Sequence, residues 1–112
     1  MMEITIADSQ GVRFADVSGR IDSKTAPEVE NILRSFTGEQ EGNVIVNCSG
    51  LEYISSGGLR ALLIIEKEMK GSGRHLILCG LRTDVEKIFR LTGFTSIFTI
   101  EKTVGDAIEH LR

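Results

Sequence analysis

Two short apolar runs, "VIVNC" (Val44–Cys48) and "HLILCG" (His75–Gly80), most constrain what this chain can fold into. Each is short and rich in branched side chains, with apolar residues at consecutive positions. That pattern suits a strand buried on both faces, as in a parallel sheet. Parallel neighbours need a long crossover between them, usually a helix. The segments between and around these runs have helical patterning. "TAPEVENILRSF" (Thr25–Phe36) puts Val29, Ile32, Leu33 and Phe36 on one stripe. Leu59–Lys70 has a wide apolar face of Leu59, Leu62, Leu63, Ile65 and Met69, and Lys70 with Gly71 forms its stop. In "TDVEKIFRLTG" (Thr83–Gly93), Val85, Ile88, Phe89 and Leu91 face inward and Gly93 ends the helix. Thr103 caps a last helix whose core side is Val104, Ala107, Ile108 and Leu111.

The N-terminal part reads differently. Met2–Ala7 alternates, with Met2, Ile4 and Ile6 on one face, as a half-buried strand does. Asp8–Gly11 ("DSQG") has turn chemistry, and Val12–Val17 forms the second strand of a hairpin that Gly19 ends. Thr25/Glu28 and Thr83/Glu86 have capping-box spacing, Ser23 is a rival cap, and Pro27 sits where its missing N–H costs nothing. Thr37–Asn43 is a polar exit loop, Ser49–Ile54 a connection, and Ser96–Ile100 a short last strand. The order ββαβαβαβα predicts an α/β fold with parallel pairings and right-handed crossovers after the first hairpin. A length of 112 residues suits one domain over 1–112, and 41% apolar residues suffice for a packed core.

Several functions are disfavoured. A net charge of −3 with no basic run longer than two residues lacks the footprint of a nucleic-acid binder. No long uncharged apolar run suits membrane insertion. The start "MMEITIADS" lacks the basic and apolar regions of a signal peptide, so the chain reads as cytoplasmic. Cys48 and Cys79 lie inside apolar runs and read as reduced core thiols. His75 and His110 are isolated, which predicts no metal site and no Ser-His-Asp arrangement. "GSGR" (Gly71–Arg74) follows a helix and precedes a strand, the reverse of a dinucleotide fingerprint, and no cofactor is implied. The expectation is a protein that is not an enzyme.

One segment invites a function. "ISSGGL" (Ile54–Leu59) stands where a buried strand gives way to a helix. One of its serines is an N-cap candidate, and a phosphate added at such a helix start adds roughly two negative charges where backbone donors are free. Gly57 and Gly58 either serve the tight entry from the strand or leave bare backbone for another molecule. Asp22, ahead of the first helix, is an Asx-turn candidate. Loops of this kind gather at one end of a parallel sheet, which brings Asp22 towards Ser55 and Ser56.

These residues also carry a resemblance. "VIVNCSGLEYISSGGLRALL" (Val44–Leu63), "SGRIDSKTAPEVE" (Ser18–Glu30) and "FRLTGFTSIFTIEKTVGDAIEHL" (Phe89–Leu111) are similar, in the right order, to the conserved segments of STAS domains of the anti-sigma factor antagonist family. The resemblance implies a mixed, mostly parallel sheet of about five strands with helices mainly on one face. It implies a partner-switching regulator, bound by an anti-sigma factor serine kinase of the GHKL type, switched off by serine phosphorylation and restored by a PP2C-type phosphatase. Asp22 matches the family's acidic loop residue, and Asn47 stands for its strand-end Asp. The usual phosphoacceptor falls on Gly57, so Ser56 is the first substitute and Ser55 the second. The implied partner surface is Asp22, Ser55, Ser56, Gly57, Gly58, Leu59 and Arg60. The missing acceptor leaves open an alternative, an accessory STAS subunit without a phosphorylation cycle, as in a lipid-transport assembly.

Overall fold

Two residues of positive φ, Gln10 (50°) and Gly11 (79°), turn the chain back on itself between β1 (Met2–Ser9) and β2 (Val12–Ile21). Such a two-residue turn matches the natural twist of a hairpin, and Gly accepts this φ without steric cost. The two strands pair antiparallel from Met2↔Gly19 to Ser9↔Val12. The structure, a computed structural model, describes residues 2–37 and 42–112, with side chains at all of them except 36 and 37. The side chain of the stripe member Phe36 and most of the exit loop therefore lie outside what is described.

Beyond the hairpin come α1 (Ala26–Thr37), β3 (Asn43–Ile54), α2 (Ser56–Gly71), β4 (Leu76–Cys79), α3 (Thr83–Leu91), a 3-10 turn (Phe94–Ser96), β5 (Thr99–Glu101) and α4 (Val104–His110). The sheet runs β1-β2-β3-β4-β5, with every pairing after the hairpin parallel. Each new strand joins the same edge, so right-handed crossovers place their helices on one face. The larger core lies there, with Val29 and Leu33 of α1, Leu62, Ile65 and Met69 of α2, and Val85 and Phe89 of α3 against Val44, Val46 and Leu78. Phe89 meets Phe98 edge-on at 5.6 Å, worth about 1 kcal/mol beyond simple burial. On the opposite face α4 packs Ala107 against Ile45, Ile77 and Cys79.

Cys48 belongs to the first of these clusters and Cys79 to the second, on opposite faces of the sheet. Burial pushes the thiols up to about 12 and about 11, so both are inert core groups.

Several expectations need correction. Gly19 does not end β2, which continues to Ile21 through register shifts against β3. "SGLEYI" is strand, because β2 supplies pairing partners out to Ile21↔Ile54, beyond the last β4 pair, Asn47↔Cys79; Ser49 and Glu52 are exposed while Leu51 and Ile54 are buried. Ser96–Ile100 splits into the 3-10 turn and a shorter β5. Leu91 is 74% exposed, because two residues on from the fully buried Phe89 it lies about 200° around the helix and faces away from the sheet. Neither capping box forms: Arg82 occupies the N-cap of α3 without a side-chain cap bond, and Thr25 is used by the turn ahead of α1. Ser23, the rival cap, is also passed over for Asp22.

Glu66 is the buried charged residue among those described, 9% exposed on α2, and its Oε2 finds no hydrogen-bond partner. Burial raises its carboxyl pKa, against a lowering influence of Lys70. A raised carboxyl makes the ionised form costly in the fold. The penalty is in force above the folded pKa and is relieved as pH falls towards the ordinary value of 4.5. Glu66→Met is expected to stabilise the protein by about 1 kcal/mol at neutral pH, with the gain shrinking in acid. Urea unfolding at both conditions checks this, and a pH-independent difference would refute the unpaired charge as its cause.

Candidate functional site

The C-terminal ends of β2 and β3 lie side by side, and the turns after them build the site. Ile21 pairs with Ile54, and the Ser55 N–H donates to the Ile21 carbonyl at 2.8 Å. Asp22 and Ser55 thus follow directly from paired residues, which brings the two turns together as the parallel topology predicts.

Asp22 builds the turn into α1. Its Oδ1 accepts the N–H of Lys24 at 2.9 Å and of Thr25 at 3.1 Å, an Asx turn. Thr25 Oγ1 in turn accepts the Asp22 N–H at 2.8 Å and donates to the Arg20 carbonyl at 3.1 Å. The Thr25 N–H, followed by that of Lys24, holds the Asp22 carboxyl below the usual carboxylate range. A depressed carboxyl contributes stability that is present above its unfolded value and lost as pH falls through the folded pKa. The amide NMR signals of Lys24 and Thr25 are therefore expected to shift together with a midpoint below 3.8; a midpoint at or above it would count against this turn.

The β3–α2 entry divides its four small residues by task. Ser55 has extended backbone (φ −85°, ψ 171°), and its Oγ accepts the Gly58 N–H at 3.2 Å, so it is the N-cap of α2. Ser56 is the exposed first residue of the helix. A Cβ on Gly58 would stand 2.6 Å from Ile21 Cγ2 and 2.7 Å from Ile54 Cγ1. Gly58 is therefore glycine because the helix start presses onto the ends of both strands. A Cβ on Gly57 would meet only Ser55 Oγ, at an ordinary 3.7 Å. Gly58 and Leu59 are buried, so they shape the entry from beneath, while Arg60 is exposed.

A groove of about 440 Å³ runs from this entry between α1 and α2. Ala26, Pro27, Ala61 and Ile64 give it an apolar floor, with Glu30 and Arg60 among its charged residues. Sequence reasoning did not find this groove. Its one available signal was the small residues, Ala26 and Ala61, on two amphipathic helices. Asn47, matched to a strand-end Asp, sits elsewhere. Its Oδ1 accepts the Ser49 N–H at 3.2 Å in mid-strand, where β3 parts from β4.

A mixed sheet with three crossover helices on one face, and a serine-bearing helix entry beside an acidic turn, defines the class. The chain belongs to the STAS domain family, whose model matches residues 3–107. It is 32% identical over 99 residues to BtrV of Bordetella bronchiseptica, named for anti-sigma factor antagonism, covering 88% of this chain and 85% of that protein. It is 30% identical over 91 residues to the anti-sigma-B factor antagonist of Listeria monocytogenes, covering 80% of this chain and 79% of that one. Among solved structures, the anti-sigma factor antagonist SpoIIAA in its unphosphorylated form superposes with a TM-score of 0.81 at 18% identity, covering 98% and 96% of the two chains. The phosphorylated Bacillus form of SpoIIAA gives 0.73 at 17% identity, covering 98% and 100%. At these identities the two structures speak for the fold.

Proposed function

We propose that this chain is an anti-sigma factor antagonist, a cytoplasmic partner-switching regulator that binds an anti-sigma factor serine kinase of the GHKL type and is released by phosphorylation on Ser56. The observation that carries this reading is the β3–α2 entry itself: Ser55 Oγ is spent on the helix cap, while Ser56 stands exposed one residue on. The exposed hydroxyl is the one a kinase can reach, which favours Ser56 over Ser55. Asp22, Arg60 and the groove between α1 and α2 form the partner surface around it, with Gly57 on its floor and Gly58 and Leu59 supporting it from the core. The names of the Bordetella and Listeria relatives support the role. Among the described residues no helix is long and apolar enough to cross a membrane, which agrees with a partner reached from solution.

The chemistry is that of a switch. The unmodified site offers a neutral hydroxyl to the partner. Phosphate adds roughly two charges there and must be desolvated if the complex is to form, so the complex weakens while the fold stands. A PP2C-type phosphatase resets it. The protein itself contributes no turnover in this scheme.

The test mixes the protein with its cognate kinase and ATP, following complex formation by gel filtration and phosphate by intact mass. A complex together with one phosphate is the expected result. A complex that never takes phosphate would favour the second reading, the accessory STAS subunit, which Gly57 at the usual acceptor position supports. Neither complex nor phosphate would remove the proposal.

A further inference from the structure

We propose that Arg60 is the intramolecular receiver of the phosphate on Ser56, so that modification both adds charge and withdraws Arg60 from the partner surface. This rests on the reading of Ser56 as the acceptor and concerns what happens once the phosphate is there. In the transfer step the Ser56 oxygen forms a bond to the γ-phosphorus of a nucleoside triphosphate. The bond from that phosphorus to its bridging oxygen breaks, the nucleoside diphosphate leaves with the electron pair, and the hydroxyl proton passes to a base of the kinase.

Spacing and occupancy carry the inference. Ser56 and Arg60 are four apart on α2, so they lie one turn above the other on the same helix face, with Cβ atoms about 5–6 Å apart. The acidic group stands N-terminal to the basic one, the favourable order on a helix. A phosphate reaches a guanidinium across that gap and can accept two parallel N–H bonds from it. Both ends are available: each residue is exposed, and among the described residues Arg60 makes no ion pair and Ser56 Oγ no hydrogen bond. Glu30, which shares the groove with Arg60, is held by Arg34 at 2.9 Å, and Asp22 spends Oδ1 on the turn into α1. Ser55 is five residues from Arg60 and projects from a different side, in addition to being committed to the cap. The one-residue displacement of the acceptor from position 57 to 56 thus puts the phosphate in four-residue register with Arg60.

The experiment installs phosphoserine at position 56 during synthesis, so it needs no kinase and does not depend on whether a kinase modifies the site. The phosphate is titrated by ³¹P NMR in the parent chain, in Arg60→Ala and in Arg60→Lys, with phosphoserine at position 55 as the geometric control. Arg60 is exposed, so its replacement leaves the core intact. The second dissociation constant of the position-56 phosphate is expected to be about two- to fivefold larger with Arg60 than with Ala, and intermediate with Lys. The position-55 phosphate is expected to be insensitive to residue 60. Equal constants at position 56 with and without Arg60, or an equal response from both positions, would overturn the proposal. Failure of the phosphorylation reading would show up instead as no mass increase with kinase and ATP.

Discussion

Gly58→Ala is expected to lower stability by about 2 kcal/mol, while Gly57→Ala, one residue earlier on the same helix, is expected to cost nothing. The contrast is unusual because helix propensity predicts the same sign for both: alanine is the better helix former at either position. At Gly58 the added methyl would stand 2.6 Å from Ile21 Cγ2 and 2.7 Å from Ile54 Cγ1. Both isoleucines are almost fully buried, at 1% and 2%, and their branched side chains are stiff close to the backbone, so neither can swing aside. Relief requires α2 to lift from the ends of β2 and β3, which pulls on the Ser55 N–H bond to Ile21 as well. At Gly57 the nearest atom is Ser55 Oγ at 3.7 Å, leaving room for a side chain. Chemical denaturation of the two variants decides the matter, and similar losses from both would show that the entry is constrained as a whole. The same space leaves room for Gly57→Ser, which would place a hydroxyl at the position where the resemblance to STAS domains implies a phosphoacceptor.

Ser56→Ala is expected to bind the kinase partner as the parent chain does and to take up no phosphate, whereas phosphorylated Ser56 is expected to bind at least about thirtyfold more weakly. Ser55→Ala separates the two serines. It removes the cap on the Gly58 N–H, costs about 1 kcal/mol, and still accepts phosphate at Ser56. Intact mass after incubation with kinase and ATP, with calorimetry for the partner, reads all three. Phosphate retained by Ser56→Ala but lost from Ser55→Ala would assign the acceptor to Ser55 and undo the division of labour between them.

The segments that local physics governs are legible in the sequence. Val44–Cys48 and Leu76–Cys79 are strands because branched apolar residues at consecutive positions tolerate burial on both faces. The apolar stripes of α1 and α2 and the Thr103 cap, which accepts the Asp106 N–H at 3.0 Å, follow from spacing and turn chemistry. What misled was also local. The polar composition of "SGLEYI" suggests a connection, yet the segment is strand because β2 lies beside it as a partner. Thr25 and Thr83 have the spacing of caps, but Asp22 claims Thr25 for its own turn and Thr83 already lies inside α3. Leu91 joins the inward set as an apolar residue, but it lies about 200° around the helix from the buried Phe89 and faces away from the core.

The site divides in the same way. By itself the sequence determined the order of elements, a serine cap at the start of the second crossover helix, and an acidic residue in the turn before the first. Those follow from periodicity and from side chains acting on their own backbone, interactions a few residues in range. Only the tertiary structure decided which serine is the cap and which is exposed, that Gly58 is forced while Gly57 is free, and that α1 and α2 leave a groove between them. The cap bond itself is local, but the helix start that assigns it to Ser55 is pinned by the Ser55 N–H bond to Ile21, and the other two features rest on contacts between residues far apart in the chain, Gly58 against Ile21 above all, which no local pattern encodes.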